Sequence, residues 1–262
     1  VLDIQAAISS GNLIEPTNAN AWDYYQRFAR ENPSSDQTTR LRQLLSVALI
    51  DSAKKIVAGD LRVDNISNKL DEFRRAGQMF LRARTLSPQD SAIIHLEKLS
   101  AVQALVGLQF YEEAEKALTA LQSQKLSAIE NTLGISYLGS LNEWQAERAF
   151  KRAIELDSNW ASPHYNLALL YRNRPGDEAL NEFEKAAELD PTNVAVLAAF
   201  GDECFRRQQW VKAVNAYRKA IEFSHPDQTL HTKLGHALYS QGLRTEANRE
   251  YQRASELRAR QK

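Results

Sequence analysis

Small and large apolar residues recur along the second half of the chain at a spacing far longer than one helical turn. In the stretch 194–227, Phe200 and Gly201 sit together in one apolar-periodic segment, and Ala213, Tyr217 and Ala220 follow in the next. A step of 34 residues forward finds Leu234, Gly235, Ala247, Tyr251 and Ala254 in the same slots. Steps of 33 or 34 residues back find Leu167, Ala168, Ala179, Phe183 and Ala186, then Leu133, Gly134, Ala146, Phe150 and Ala153. Residues three and four apart share one face of a helix, so each period predicts two helices that fold on each other as a hairpin. The alanines at 146, 179, 213 and 247 leave room for two backbones to approach. The aromatic four residues later lies one turn along the same face and fills the gap between its own hairpin and the next. No hairpin buries that face alone, so the predicted fold is a stack whose stability is a nearest-neighbour sum.

The first half reads as a looser version of the same plan. Residues 1–33 form a short hairpin that turns at Ser10-Gly11-Asn12. Its second helix, from about Asn18, carries Ala21, Tyr25 and Phe28 before Pro33, the steps that separate Ala179, Phe183, Ala186 and Pro191. A long helix is expected from about Asp36 to Ala58, with Leu41, Leu44, Leu45, Ala48 and Leu49 on one face and a break at Gly59-Asp60. A second long pattern runs to about Ser87 and restores the spacing with Ala76, Phe80, Ala83 and Pro88. Ala21 and Ala76 lie 55 residues apart, so this hairpin at 36–86 carries an excess over a regular repeat. The excess either extends both helices as a projecting arm or leaves part of Leu61–Ser67 as loop. Residues 91–123 make a further loose hairpin turning at Gly107, with Ala114, Leu118 and Leu121 as anchors. The expected organisation is degenerate hairpins over 1–126 and four regular repeats over 127–262, continuous as one solenoid of seven hairpins. The last helix, from about Leu243 to Arg258, shows a polar outer side (Asn248, Arg249, Gln252, Arg253).

These slots (Leu-Gly, then a tyrosine, then alanine and an aromatic four apart, then proline) resemble the tetratricopeptide repeat family. The resemblance implies an all-α, right-handed α-α superhelix whose concave surface, lined by the first helix of each pair, holds extended peptides or short helices. On that surface the matching slots carry Asn131 and Ile135, then Tyr165, Asn166, Leu169 and Arg172, then Asp202, Phe205 and Arg206, and finally Thr232, His236 and Tyr239. Asn166 occupies a slot in which family members place an asparagine on the ligand backbone. Thr132, Ala199 and Lys233 stand there in the other repeats, so no asparagine ladder is expected. The slots of the family's carboxylate clamp hold Tyr165, Leu169, Ala199, Thr229 and Lys233, and a single cation does not support a clamp for a C-terminal carboxylate.

Composition changes this picture little. Lys plus Arg and Asp plus Glu both number 33, and a formal net charge of zero argues against nucleic acid or an anionic membrane as the main ligand. The single cysteine, Cys204, allows no intrachain disulfide. It occupies the slot of Tyr137 and Tyr171 and is expected to be a buried, inert thiol. No apolar run approaches the ~18 residues of a membrane span. The start at Val1 reads as a segment excised from a longer chain or one whose export signal has been removed, which leaves the compartment open.

Catalytic patterns are missing: there is no phosphate loop, dinucleotide fingerprint, H-E-x-x-H or G-x-S-x-G. His231 and His236 are five apart, on different helix faces, and propose no metal. The expectation is therefore a non-catalytic scaffold or adaptor without cofactor, gripping a protein or peptide segment. Two alternatives stand beside it: a regulatory or assembly domain of a larger enzymatic or membrane-anchored protein, and self-association as a homo-oligomer.

Overall fold

The computed structural model describes residues 1–260, and among them every regular element is helical. The helices run in antiparallel pairs: α1 (Leu2–Ser9) with α2 (Ala21–Glu31), α3 (Asp36–Val57) with α4 (Leu70–Leu86), α5 (Ser91–Gly107) with α6 (Tyr111–Leu121), and α7 (Ser127–Gly139) with α8 (Glu143–Leu156). These make up one compact unit, Val1–Leu156. A second unit, Asp157–Lys262, holds α9 (Ala161–Tyr171) with α10 (Glu178–Leu189), α11 (Val194–Arg206) with α12 (Trp210–Phe223), and α13 (Gln228–Ser240) with α14 (Arg244–Arg260). Among the described residues the fold is all-α, with four hairpins in the first unit and three in the second.

Local chemistry sets the helix ends. Asn20, Ser35, Asp90, Asn193 and Asp227 cap the starts of α2, α3, α5, α11 and α13, each side chain accepting from a backbone N–H of the first turn. The first helices of four hairpins end in the same way. Gln109, Leu141, Gln208 and Gly242 take left-handed backbone angles. The next residue's N–H then reaches back to the carbonyl five residues earlier, as in Asn142 N to Tyr137 O at 2.8 Å and Gln209 N to Cys204 O at 2.8 Å. Such a Schellman turn satisfies orphan carbonyls and reverses the chain in three residues.

The repeated slots do the packing foreseen for them, with one refinement. Ala146, Ala179, Ala213 and Ala247 are buried, as are Phe150, Phe183 and Tyr217, while Tyr251 is half-buried. Each aromatic lies against the small residue of its own first helix: a Cβ added to Gly134 would sit 2.5 Å from the Phe150 ring, and one on Gly201 2.7 Å from Tyr217. The aromatic thus locks its own hairpin as well as joining hairpins. Around Tyr217 the core of the second unit runs from Leu180 through Cys204, Ala213 and Leu234 to Ala247.

The long hairpin is not a projecting arm. α3 has 22 residues, but α4 has 17, and the surplus between them folds inward as the loop 58–65 and a 3-10 turn at Ile66–Lys69. Leu61 and Ile66 are buried. Gln103 Nε2 donates to Val57 O at 2.8 Å, and Asn131 Nδ2 donates to Leu61 O at 2.9 Å. Buried carbonyls of an irregular segment need such donors, and amides from α5 and α7 supply them.

Candidate functional site

The regular hairpins of the second unit place α9, α11 and α13 side by side, and their polar residues meet around two carboxylates. Glu203 on α11 is wholly buried, in a slot that holds Ser136, Leu170 and Ala237 in the other hairpins. A charge there requires partners, and three arginines converge on it. Arg206 donates through Nε at 3.0 Å and Nη2 at 2.6 Å, Arg207 through Nε at 2.6 Å, and Arg172 from the end of α9 approaches to 4.0 Å. Arg207 also reaches Asp177, at the start of α10, at 2.6 Å. Burial by itself would push the Glu203 carboxyl up, but the hydrogen bonds from Arg206 and Arg207 outweigh it and hold the group below its ordinary value. The carboxylate therefore stays ionised.

Asp202 is the second centre. It accepts from the Tyr217 hydroxyl at 2.7 Å and from Lys233 Nζ, on α13, at 2.7 Å. Burial and the Asp202 hydrogen bond raise the Tyr217 phenol well above its ordinary value, so it remains a donor. One acid thus ties α9 to α11 and its neighbour ties α11 to α13. With these acids occupied from within, the accessible polar groups are mainly donors: Arg206 is exposed and Arg172 half-exposed. Beside them stand Phe205, edge-on to Trp210 with ring centroids 5.0 Å apart, exposed His236 over the edge of Tyr251, and exposed Tyr239.

The sequence-predicted residues divide on this point. Arg172, Asp202, Phe205, Arg206, His236 and Tyr239 are at least partly accessible and lie on neighbouring helices. The expected exposure of Asn131, Tyr165 and Asn166 is corrected: Tyr165 is 4% exposed, the two asparagines 0%. Asn131 donates to a loop carbonyl in the first unit, and the Tyr165 ring packs edge-on against Phe183. The Asn131 amide serves the core because the inward loop covers its slot, and the Tyr165 ring joins the cluster of Ala168, Phe183 and Val196. Glu203 and its link to Arg207 and Asp177 escaped the sequence reading, although a charged residue in an otherwise uncharged slot was a visible signal. Cys204 is buried, and burial pushes its thiol up to about 12, which suits an inert core residue.

Comparison with known proteins follows the same geometry. Residues 201–242, which contain both acids, match the family profile described as TPR repeat. This segment is a tetratricopeptide repeat. Solved structures of MamA share the fold: one crystal structure aligns at 19% identity over 61% of this chain and 95% of that one, with a TM-score of 0.55. The MamA MSR-1 structure aligns at 19% identity, covering 65% of this chain and 99% of that one, with a TM-score of 0.53. MamA 41-end from Desulfovibrio magneticus RS-1 aligns at 17% identity over 64% and 96%, with a TM-score of 0.55. No curated protein sequence matches the chain. Tetratricopeptide arrays are protein-interaction scaffolds, and the fold is of a kind that is typically non-catalytic. No helix among the described residues is long and apolar enough to cross a membrane.

Proposed function

We propose that this tetratricopeptide repeat protein is a non-catalytic adaptor that holds a segment of a partner protein across α9, α11 and α13. The observation that carries the reading is the pair of occupied acids, Asp202 and Glu203. They fix Arg172, Arg206 and Lys233 in place, so a partner meets donors whose ordering entropy has already been spent. Phe205 and Tyr239 add apolar area on the same face, and the aromatic-plus-arginine composition is that of interface hot spots.

The test replaces Arg206 and Tyr239 together by alanine and compares capture from lysate with the unaltered protein. Both side chains are exposed and Arg207 still holds Glu203, so helicity should stay unchanged and melting fall only by the loss of the Arg206 contacts, while a captured protein is lost. A photo-crosslinker at position 239 should label that protein, and one at exposed Gln252 on α14 should not. Equal capture by both forms would refute binding on this face.

A further inference from the structure

The first unit carries an exposed apolar rim that the proposed binding face does not use. The turns α5–α6 and α7–α8 lie against each other. Ser136 Oγ donates to Tyr111 O at 3.0 Å, Ser140 Oγ donates to Glu115 at 2.7 Å, and a Cβ on Gly139 would strike the Tyr111 ring. From this joined edge project Leu108, Phe110, Leu141 and Trp144, with Leu141 89% and Trp144 67% exposed. Leu141 stands out because it is also strained, at φ 60°. Its slot holds Gln109, Gln208 and Gly242 in the other three-residue turns, residues that suit a solvated left-handed position. A leucine there gains nothing from the fold of its own hairpin. The slot of Trp144 likewise holds Glu112, Asp177, Val211 and Thr245 elsewhere.

The rim is acidic. Glu112, Glu113, Glu115, Glu143 and Glu147 flank the four apolar residues, against Lys116, Arg148, 5.9 Å above the Trp144 ring, and Lys151, which pairs with Glu147 at 2.7 Å, so acids still outnumber cations five to three. Positions at the starts of α6 and α8 account for acids through the helix dipole. They do not account for the apolar side chains among them. An acidic border repels an anionic bilayer and complements a basic one-sided helix, whose apolar stripe would cover the rim while its lysines or arginines meet the glutamates. We infer that the α5–α6 and α7–α8 turns form a second docking surface, for a basic amphipathic helix of a partner protein.

The test uses a labelled peptide of leucine and lysine in amphipathic register, about 18 residues long so that it can be helical, and reads fluorescence anisotropy. Two control peptides replace every lysine by glutamate or every leucine by serine. The leucine–lysine peptide should bind at least about tenfold more tightly than either control, a factor worth about 1.4 kcal/mol. The Leu141→Gly/Trp144→Gln double variant should weaken it by a similar factor, with Phe110→Gln, from the other turn, as an independent variant. The Arg206→Ala/Tyr239→Ala variant should bind it unchanged, so the rim is judged apart from the face on α9, α11 and α13. Unchanged binding by both rim variants would overturn the inference, as would loss in the α11–α13 variant or equal binding of the glutamate peptide. Two other outcomes would reassign the rim and also overturn it. One is tighter binding to phosphatidylglycerol vesicles with a blue shift lost in Trp144→Gln. The other is a dimer in sedimentation that the double variant abolishes.

Discussion

The hairpins α7–α8 and α11–α12 share one packing device and differ in how each buries a glutamate. In both, a glycine of the first helix takes the ring of an aromatic from the second, Gly134 with Phe150 and Gly201 with Tyr217. Glu130 on α7 is 7% exposed and accepts from the Gln122 amide, at 3.4 Å to either oxygen, with Arg148 and Arg152 acting through space. Burial dominates there and raises its carboxyl above the ordinary value. Glu203 exposes no surface, yet direct contact with Arg206 and Arg207 brings it below that value. Depth alone therefore does not decide the charge of a buried acid. The number of charged donors within hydrogen-bond distance does.

The slots sharpen the contrast. The slot of Glu130 holds His164 and His231 in two hairpins of the second unit, and each imidazole Nδ1 lies 2.7 Å from a carboxylate of the facing helix, Glu182 or Glu250. The slot of those partners is Ala149 in the α7–α8 hairpin and Ala216 beside Leu197 in the α11–α12 hairpin. Polar meets polar or apolar meets apolar in three hairpins. The α7–α8 hairpin alone sets an acid in the slot opposite an alanine.

Breaking the Glu203 centre should have the largest effect. Glu203→Ala leaves the buried end of Arg207 without its carboxylate and should cost about 3 kcal/mol, the low end for a broken buried pair because Arg206 and Arg172 can turn to water. Urea denaturation would measure the loss, and hydrogen exchange should show it first in α9 to α12. Next, Gly201→Leu and Gly134→Leu should each cost roughly 1–3 kcal/mol by overpacking the ring. Equal losses would show that the device is shared, and an unchanged melting temperature in either would contradict the register of that hairpin.

Acidification separates the two glutamates. Glu203 has a lowered folded value, so its stabilisation is present above the ordinary carboxylate value, near 4.5, and is lost as pH falls through the lower one. Glu130 has a raised folded value, so its contribution is present below the ordinary value and is lost as pH rises through the raised one. Glu130→Gln should therefore stabilise the protein at neutral pH by less than either glycine variant costs, with the gain shrinking in acid. Denaturation midpoints between pH 3 and 7 would show it, and a gain that grows in acid would contradict the assignment.

Much of this molecule is legible in one dimension. Ala213, Tyr217 and Gly201, with their counterparts at steps of 33 or 34, determine hairpin, register and stack, because a small residue facing a large one in fixed slots leaves few other ways to close two helices. The caps, the turn at Gly107 and the break at Gly59 follow from local backbone chemistry in the same way. Exposure of polar residues is less legible. Asn131, Tyr165 and Asn166 occupy slots that face outward in a minimal repeat, yet each is buried, and only the course of a loop 70 residues away explains Asn131. The approach of Arg172 and Arg207 to Glu203, and of Asp177 to Arg207, likewise required three segments to be brought together. Periodicity records what each helix does with its neighbour in sequence. Charge pairing and burial depend on side chains contributed by elements far along the chain, and those are set when the hairpins pack.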